Sequence, residues 1–196
     1  FQKRETMNKM RIAAIPMGTA VGIAFASGYS AAAEVTVVMS GLDNPRGLAF
    51  SPNGALYVTE AGRGGVGPCP VSGAGESRCY GPTGAITRLW KGVQERVVEG
   101  LPSHALPDGT SAGGPNRISF QGTGGAYVTL GLGGGPAFQD AYGAAGELMG
   151  TLIHVAASGQ WRIVADVASY EFAANPDGGF PYSNPFGVLA QSARRF

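Results

Sequence analysis

A short phrase of the sequence occurs twice, 70 residues apart, and this repeat constrains the fold more than any other feature. The stretch NPRGLAFSPNGALYVTEAGR begins at Asn44, and the matching stretch GPNRISFQGTGGAYVTLGLG begins at Gly114. A period of this size is typical of repeat architectures, in which each repeat is one supersecondary unit. The matched positions are Pro45 with Pro115 and Pro185, Leu48 with Ile118 and Val188, Phe50 with Phe120, Gly54 with Gly124, and Tyr57-Val58-Thr59 with Tyr127-Val128-Thr129.

Each repeat is predicted to contain four short strands bounded by turn residues. Gly and Pro contribute 33 and 13 of the 196 residues, while Val, Ile, Tyr and Phe recur in short runs, which favours many strands joined by turns. Four strands per repeat are typical of a β-propeller blade, so the predicted fold class is an all-β propeller of four-stranded antiparallel blades. The predicted strands are 46–50, 55–59, 85–90 and 95–99, then 116–120, 126–130, 151–156 and 161–166.

The first 33 residues resemble a secretory signal peptide. A basic segment from Met7 to Arg11 precedes an apolar run from Ile12 to Ala26, and small residues stand before Glu34. The alternative, a membrane anchor, needs a longer apolar core. We therefore predict cleavage before Glu34, a secreted or periplasmic location and no stable membrane anchor afterwards. Residues 1–6 precede the first methionine and are interpreted as translated upstream sequence.

Charge and cysteine content narrow the functional classes. Removing residues 1–33 takes away four of the 14 basic side chains and one of the 13 acidic ones, so the formal charge changes from +1 to −2. No basic patch remains, and we predict no nucleic-acid partner. The chain has two cysteines, Cys69 and Cys79, and in an oxidising compartment we expect a disulfide between them.

The lengths of the connections indicate which end of the blades is used. The turns at 51–54 and 91–94 are tight, whereas 61–83, 101–115 and 131–149 are long connections that should emerge at the opposite end. Binding residues concentrate on loops held by a rigid scaffold. An unknown protein or small-molecule ligand is therefore expected on this long-loop face.

The proposed organisation is incomplete as a ring. Residues 1–33 are the upstream residues and signal peptide, and 34–196 the partial propeller. Blade one spans 44–101, blade two 114–168, and a third blade starts at 184–190. Residues 37–42 resemble the fourth strand of blade one, and the stretch 35–42 is expected to complete the last blade of a closed ring. We expect the chain to be the N-terminal part of a longer propeller.

Several motifs in order resemble the ScyD/ScyE family of exported bacterial proteins, which is similar to NHL-type and TolB-like propellers. They are GLDNPRGLAFSPNGALYVTEAGRGG, GPCPVSGAGESRCYGPTGAITR, GGPNRISFQGTGGAYVTLGLGG and NPDGGFPYSNPFGVLA, and the resemblance covers residues 35–190. The resemblance implies a six-bladed ring in the full-length protein, export, and in some cyanobacteria a link to production of the pigment scytonemin. It implies no catalytic mechanism.

Side-chain oxygens near the predicted channel mouth are candidate ligands for a hard cation such as Ca²⁺. Asn before Pro is equally ordinary turn chemistry, so both interpretations remain open. A metal site here would favour the alternative function, a metal-dependent hydrolase or lactonase-like enzyme, over a binding module. The candidate residues are Asn44, Glu60, Arg63, Asn116 and Asn184.

Other residues are given structural interpretations. His104 is interpreted as an exposed histidine, with a general-base role as the alternative, and His154 as a packing residue of a strand. The NPDGG segment from Asn175 is predicted to be a turn rather than a calcium loop. The GLGGG segment from Gly131 is not a phosphate loop, because no Lys-Ser/Thr pair follows it and no helix is predicted after it. Tyr57 and Tyr127 match across the repeats, which favours packing between blades.

Overall fold

The computed structural model describes residues 34–191. The predicted signal peptide at 1–33 and residues 192–196 lie outside these described residues. From Val37 onward the chain forms one unit, and every contact described below lies within it.

Eight strands form two four-stranded antiparallel sheets, which confirms the predicted strand content of the two repeats. In each sheet the strands follow one another in chain order, so that every connection joins neighbours. Sheet 1 comprises β1 (Pro45–Phe50), β2 (Leu56–Glu60), β3 (Cys79–Trp90) and β4 (Val93–Ala105). Sheet 2 comprises β5 (Pro115–Phe120), β6 (Ala126–Leu130), β7 (Thr151–Val155) and β8 (Trp161–Asp166).

Residues 34–191 also contain three short helices that were not predicted, so this part of the chain is mostly β rather than all-β. They are α1 (Pro136–Asp140), a 3-10 helix (Gly143–Leu148) and α2 (Val167–Ala174). The Asp166 carboxylate accepts a hydrogen bond from the Ser169 amide and caps α2, and Asn175 ends the helix in the left-handed conformation. Helices this short carry too few turns to produce a readable 3.6-residue period, which is why the sequence did not reveal them.

The hairpin of β3 and β4 is longer than predicted. Pairing continues past Ala85 and Val98 to Tyr80 opposite His104 and Cys79 opposite Ala105. Three register shifts interrupt this ladder, and they hide the alternation of apolar and polar residues in the sequence. Parts of the connections predicted at 61–83 and 101–115 are therefore strand.

Each first strand contains a bulge opposite a threonine. Arg46 and Gly47 together oppose Thr59, and Asn116 and Arg117 together oppose Thr129. The Thr59 hydroxyl accepts a hydrogen bond from the Gly47 amide (2.9 Å) and donates one to the Asn116 carbonyl of sheet 2 (2.5 Å). This hydroxyl therefore pairs with a backbone amide of the bulge in sheet 1 and links sheet 1 to sheet 2.

Sheet 2 packs against sheet 1 through an apolar core shared by both repeats. The ring of Tyr57 contacts the ring of Phe120 edge to face, with centroids 4.9 Å apart, which confirms packing between repeats for Tyr57. Tyr127 instead packs on His154 of its own sheet, at 5.1 Å, and His154 has the predicted packing role in β7. The buried core residues are Ile86, Val98, Leu101, Ile118, Ala126, Val128, Leu130, Ile153 and Val155.

The predicted start of a third repeat lies against sheet 2. The Thr129 hydroxyl donates to the carbonyl of Phe186 (3.1 Å), and the Asn116 side chain donates to that of Pro185 (2.9 Å). Residues 184–191 form no strand. Residues 35–42, predicted to be a closing strand, likewise form no strand among the described residues.

Candidate functional site

The long connections lie together at one end of the two sheets, as the loop lengths predict. Antiparallel order places the end of each second strand and the start of each third strand at the same edge. The connections at this edge are 61–78, 106–114, 131–150 and 167–183, and we call them the long-loop face.

Part of the long-loop face has a hydrophobic core of its own. We call this part of the face, together with its core, the cap. Met149 and the ring of Tyr142 are almost completely enclosed, and the Tyr142 hydroxyl donates a hydrogen bond to the Arg78 carbonyl (3.1 Å). This contact ties the connection after β6 to the connection after β2. The buried cap residues are Leu132, Phe138, Tyr142, Met149 and Ala168.

Cys69 and Cys79 form a disulfide, as expected. Cys79 begins β3, and Cys69 lies in the preceding connection, ten positions earlier. Between them Val71 and Ser77 form an antiparallel bridge. The disulfide therefore holds a small hairpin onto the start of β3.

The loop between β4 and β5 is held through its carbonyl groups. Asn44 donates its side-chain amide to the carbonyls of Gly62 (2.7 Å) and Gly109 (2.8 Å). Arg46 donates to the Ala112 carbonyl (2.6 Å), and Arg78 donates to that of Ser111. Because a buried carbonyl without a partner is costly, these donors favour a single loop conformation.

Glu60 is fully buried at the end of β2 and is the centre of a charged cluster. Arg96 of β4 forms a bidentate contact with its carboxylate (3.1 and 2.8 Å), and the Asp43 amide donates to it at 2.5 Å. Thr87 donates a further hydrogen bond. Burial alone would raise the pKa of Glu60, but the hydrogen bonds from Arg96, Thr87 and Asp43 outweigh it and lower that pKa.

The cluster extends to the protein surface through Asp43. Its carboxylate accepts a hydrogen bond from Arg96 (3.0 Å) and lies 3.6 Å from the guanidinium of Arg63. The Arg63 side chain is 59% exposed. Among the predicted site residues, Arg63 is therefore the one whose charged group is exposed to solvent. Contacts with Glu60 and Asp43 raise the pKa of Arg96.

The structure brings the predicted site residues together in two groups. Asn44, Glu60 and Arg63 meet around Asp43 and Gly62. Asn116 and Asn184 meet over Gly131, where an added Cβ would lie 2.7 Å from the amide nitrogen of Asn116 and 2.7 Å from the amide oxygen of Asn184. A glycine at 131 is therefore required for this approach.

Ca²⁺ binding remains a prediction. The two Glu60 oxygens already accept hydrogen bonds from Arg96, Thr87 and Asp43, so this carboxylate could bind a cation only by giving up these donors. Within residues 34–191 there is no group of three or more His, Cys, Asp or Glu residues placed to hold a metal ion.

His104 is buried, not exposed as predicted. Its ring is 2% exposed and packs on Phe138 and Tyr142 of the cap. The cause is the extension of β4 into the predicted loop, which places position 104 opposite Tyr80 beneath the cap.

Two glycine-rich segments have structural roles. Asn175 ends α2, and the Gly178 amide bonds to its carbonyl, so NPDGG forms the predicted turn. GLGGG leads into the five-residue helix α1, although the sequence indicated no helix after it.

Sequence reasoning missed Asp43 and Arg96, which complete the cluster around Glu60. Aligning the repeats provides a signal for them, because Glu60 and Thr87 match the apolar Leu130 and Ile153 of sheet 2. Polar residues at positions that are core in the sister repeat indicate a local partner.

No described helix has the length and apolar character needed to cross a membrane. Comparison with protein-family models, with curated proteins and with solved structures gives no match for this chain.

Proposed function

We propose that this chain is part of an exported β-propeller of the ScyD/ScyE type, and that the propeller is a binding module whose ligand occupies the long-loop face. The two sheets are adjacent blades, and residues 184–190 begin a third. A link to secondary-metabolite production belongs to the same proposal and rests on the family resemblance alone.

The ring architecture is supported by a contact that recurs with the period of the repeat. Thr59 donates to the Asn116 carbonyl, and Thr129, 70 positions later, donates to the Phe186 carbonyl, again 70 positions later. The same step therefore relates sheet 1 to sheet 2 and sheet 2 to the third repeat. A constant step between four-stranded up-and-down sheets is the geometry of a propeller.

The segment before β1 supports ring closure. The Gln94 side chain forms two hydrogen bonds with the backbone of Ser40. It donates one to the carbonyl (2.8 Å) and accepts one from the amide (3.1 Å). Gly41, which matches Gly100 of β4 in sequence, also matches it in conformation, with φ of +65° against +76°. Gly41 thus shares this backbone conformation with its counterpart in the fourth strand, and Arg96 of sheet 1 donates a hydrogen bond to its carbonyl (3.5 Å).

The observation that carries the binding function is the buried core of the cap. Long connections usually gain little from burial, yet here Leu132, Tyr142 and Met149 are enclosed within them. The resulting loops are preorganised, which reduces the entropy lost when a ligand binds. The tight turns at the other end of the sheets have no such core among the described residues.

A thermal-shift screen with a panel of small molecules and extracellular proteins tests this function. Hits should lose their stabilising effect in Arg63→Ala and Val66→Asp, which alter exposed residues of the long-loop face. The matched controls Asn53→Ala and Thr123→Asp, in the tight turns at the opposite end, should retain it. Hits that respond only to the control substitutions would place the binding site elsewhere and contradict the proposal.

Ester and lactone hydrolysis with and without Ca²⁺ separates the alternative enzyme function from the binding module. The proposal expects no turnover of p-nitrophenyl acetate or a homoserine lactone, and no heat in a Ca²⁺ titration. Ca²⁺-dependent turnover abolished by Glu60→Gln would replace the binding module by a hydrolase.

A further inference from the structure

His104 lies at the joint between sheet 1 and the cap. It belongs to the extended end of β4, faces Tyr80 across the β3–β4 ladder, and is bridged to Gly113 by two backbone hydrogen bonds of 2.8 Å. Its ring contacts the rings of Phe138 (5.9 Å) and Tyr142 (5.7 Å). The imidazole also lies directly against Gly113. A side chain at position 113 would not fit, because an added Cβ would collide with the ring.

Neither nitrogen of this imidazole makes a hydrogen bond of normal geometry among the described residues. The titratable and charged groups that face it are Tyr80 from β3, Tyr142 from the segment after α1, and the guanidinium of Arg78. The Glu76 carboxylate is engaged by Arg78 at 2.8 Å. No contact described for the ring therefore supplies a negative charge.

The free-energy cost of burial in this environment is much lower for the neutral ring than for the protonated ring. A neutral imidazole can be buried among aromatic rings at modest cost. An imidazolium loses its hydration, and the Leu132 backbone, which favours the protonated ring, does not offset that loss. Burial, and after it the positive charge of Arg78, together lower the pKa of His104 from 6.5 to about 4, against a smaller raising effect of the Leu132 backbone.

We propose that His104 is an acid-sensitive joint, whose protonation detaches Phe138 and Tyr142 from β4 and opens the cap. This inference goes beyond the proposed function and requires no ligand. The opened ring is solvated, so acid favours the open cap through differential proton binding.

The pH window follows from linkage. Above pH 6.5 the ring is neutral in both the closed and the open cap, so the pH has no effect on opening. As the pH falls from 6.5 towards 4, the open cap binds the proton and the closed cap does not, so closure is progressively lost. The opening equilibrium should rise by about a hundredfold across this window.

Hydrogen exchange at pH 7, 5.5 and 4, corrected for intrinsic rates, tests the joint. In the native sequence, amides of residues 106–113 and 136–149 should exchange up to about a hundredfold faster at pH 4, while those of β2 and β6 change much less. His104→Phe should abolish the acceleration, and His154→Gln, which removes the other described histidine, should retain it. Equal acceleration of the cap and of β2 and β6, or an unchanged acceleration in His104→Phe, would overturn the proposal.

An NMR titration of the two imidazoles in the native chain provides a second test that needs no variant at position 104. The His104 signal should titrate well below pH 6.5, and its midpoint should coincide with the shift of cap resonances. Titration of His104 near pH 6.5 without a change in the cap would also overturn the proposal.

Discussion

Single hydroxyl groups decide how the two sheets join. Thr59 and Thr129 each satisfy the amide of a bulge in their own sheet and the carbonyl of the next repeat. A buried group that loses its only partner costs more free energy than an average hydrogen bond contributes. The threonine of the repeated phrase is therefore a junction residue.

Replacing either junction threonine should destabilise the chain. Thr59→Val and Thr129→Val keep the shape of the side chain but leave an amide and a carbonyl unpaired, so each should lower the free energy of unfolding by about 1–3 kcal/mol. Urea denaturation measures this loss. Thr123→Val, in an exposed turn, is the control and should change stability by less than about 0.5 kcal/mol. Equal effects of all three substitutions would contradict the junction role.

The buried ion pair should respond asymmetrically to the loss of each partner. Arg96→Met leaves the enclosed Glu60 carboxylate without its cation and should cost about 3–5 kcal/mol in unfolding free energy. Glu60→Gln should cost less, because the Arg96 side chain is 36% exposed and can be solvated. Chemical denaturation of the two variants measures the difference. An equal loss in both would show that solvent access to Arg96 is unimportant.

Glu60 should also make the chain sensitive to acid in a pH range of its own. Its pKa is lowered in the folded state, so its stabilising contribution is present above the unfolded value of 4.5 and is lost as the pH falls through the folded value. Denaturation midpoints measured between pH 6 and pH 3 should fall steeply below 4.5 in the native sequence and less steeply in Glu60→Gln. The His104 effect begins at higher pH, which separates the two groups.

At the scale of elements, the disulfide and the extended β3–β4 hairpin build the base of the long-loop face. The loop closed by Cys69 and Cys79 is short and contains one bridge of its own, Val71 with Ser77. Its cross-link acts mainly by restricting the unfolded chain. The disulfide should therefore contribute to stability without being needed for the sheets.

Replacing both cysteines tests this local role. The double variant Cys69→Ser, Cys79→Ser should lose about 2–3 kcal/mol of unfolding free energy and keep its β-sheet circular-dichroism spectrum. Without reductant, alkylation should leave the mass of the native chain unchanged. Alkylation of both cysteines in the folded native chain would contradict the pairing.

Part of the fold could be predicted because its signal is local. Turn residues and alternating apolar positions located six of the eight strands within one residue, and the central parts of β3 and β4. The extension of β3 and β4, the helices α1 and α2, and the burial of His104 could not be predicted. The helices are too short to show a period, and register shifts hide the alternation in the extended hairpin. The burial of His104 depends on contacts between segments distant in sequence, such as those with Phe138 and Tyr142.

At the scale of the whole molecule, equivalent residues of the two repeats have different exposure. Leu48 is 63% exposed, whereas its counterpart Ile118 is 6% exposed beneath sheet 1. Phe50 is 68% exposed, whereas Phe120 packs on Tyr57. In the proposed ring a preceding blade would cover Leu48 and Phe50, and apolar surface of this kind favours association when it is left open.

This chain alone should therefore self-associate through sheet 1. The variant Leu48→Ser, Phe50→Ser should shift the chain towards monomer in sedimentation velocity, because it removes the exposed apolar face. Tyr170→Ser, which removes an equally exposed aromatic ring from α2, is the control and should leave association unchanged. A monomeric native chain would contradict the prediction.

The sequence by itself determined the repeat, its four strands and the end of the sheets that carries long loops, because period, alternation and turn residues act over short distances along the chain. Only the tertiary structure decided what the candidate residues do. It paired Glu60 with Arg96, placed the side chains of Asn116 and Asn184 close to Gly131, and buried His104 beneath the cap. These outcomes depend on which side chains meet across the sheets, and no pattern along the chain records that packing.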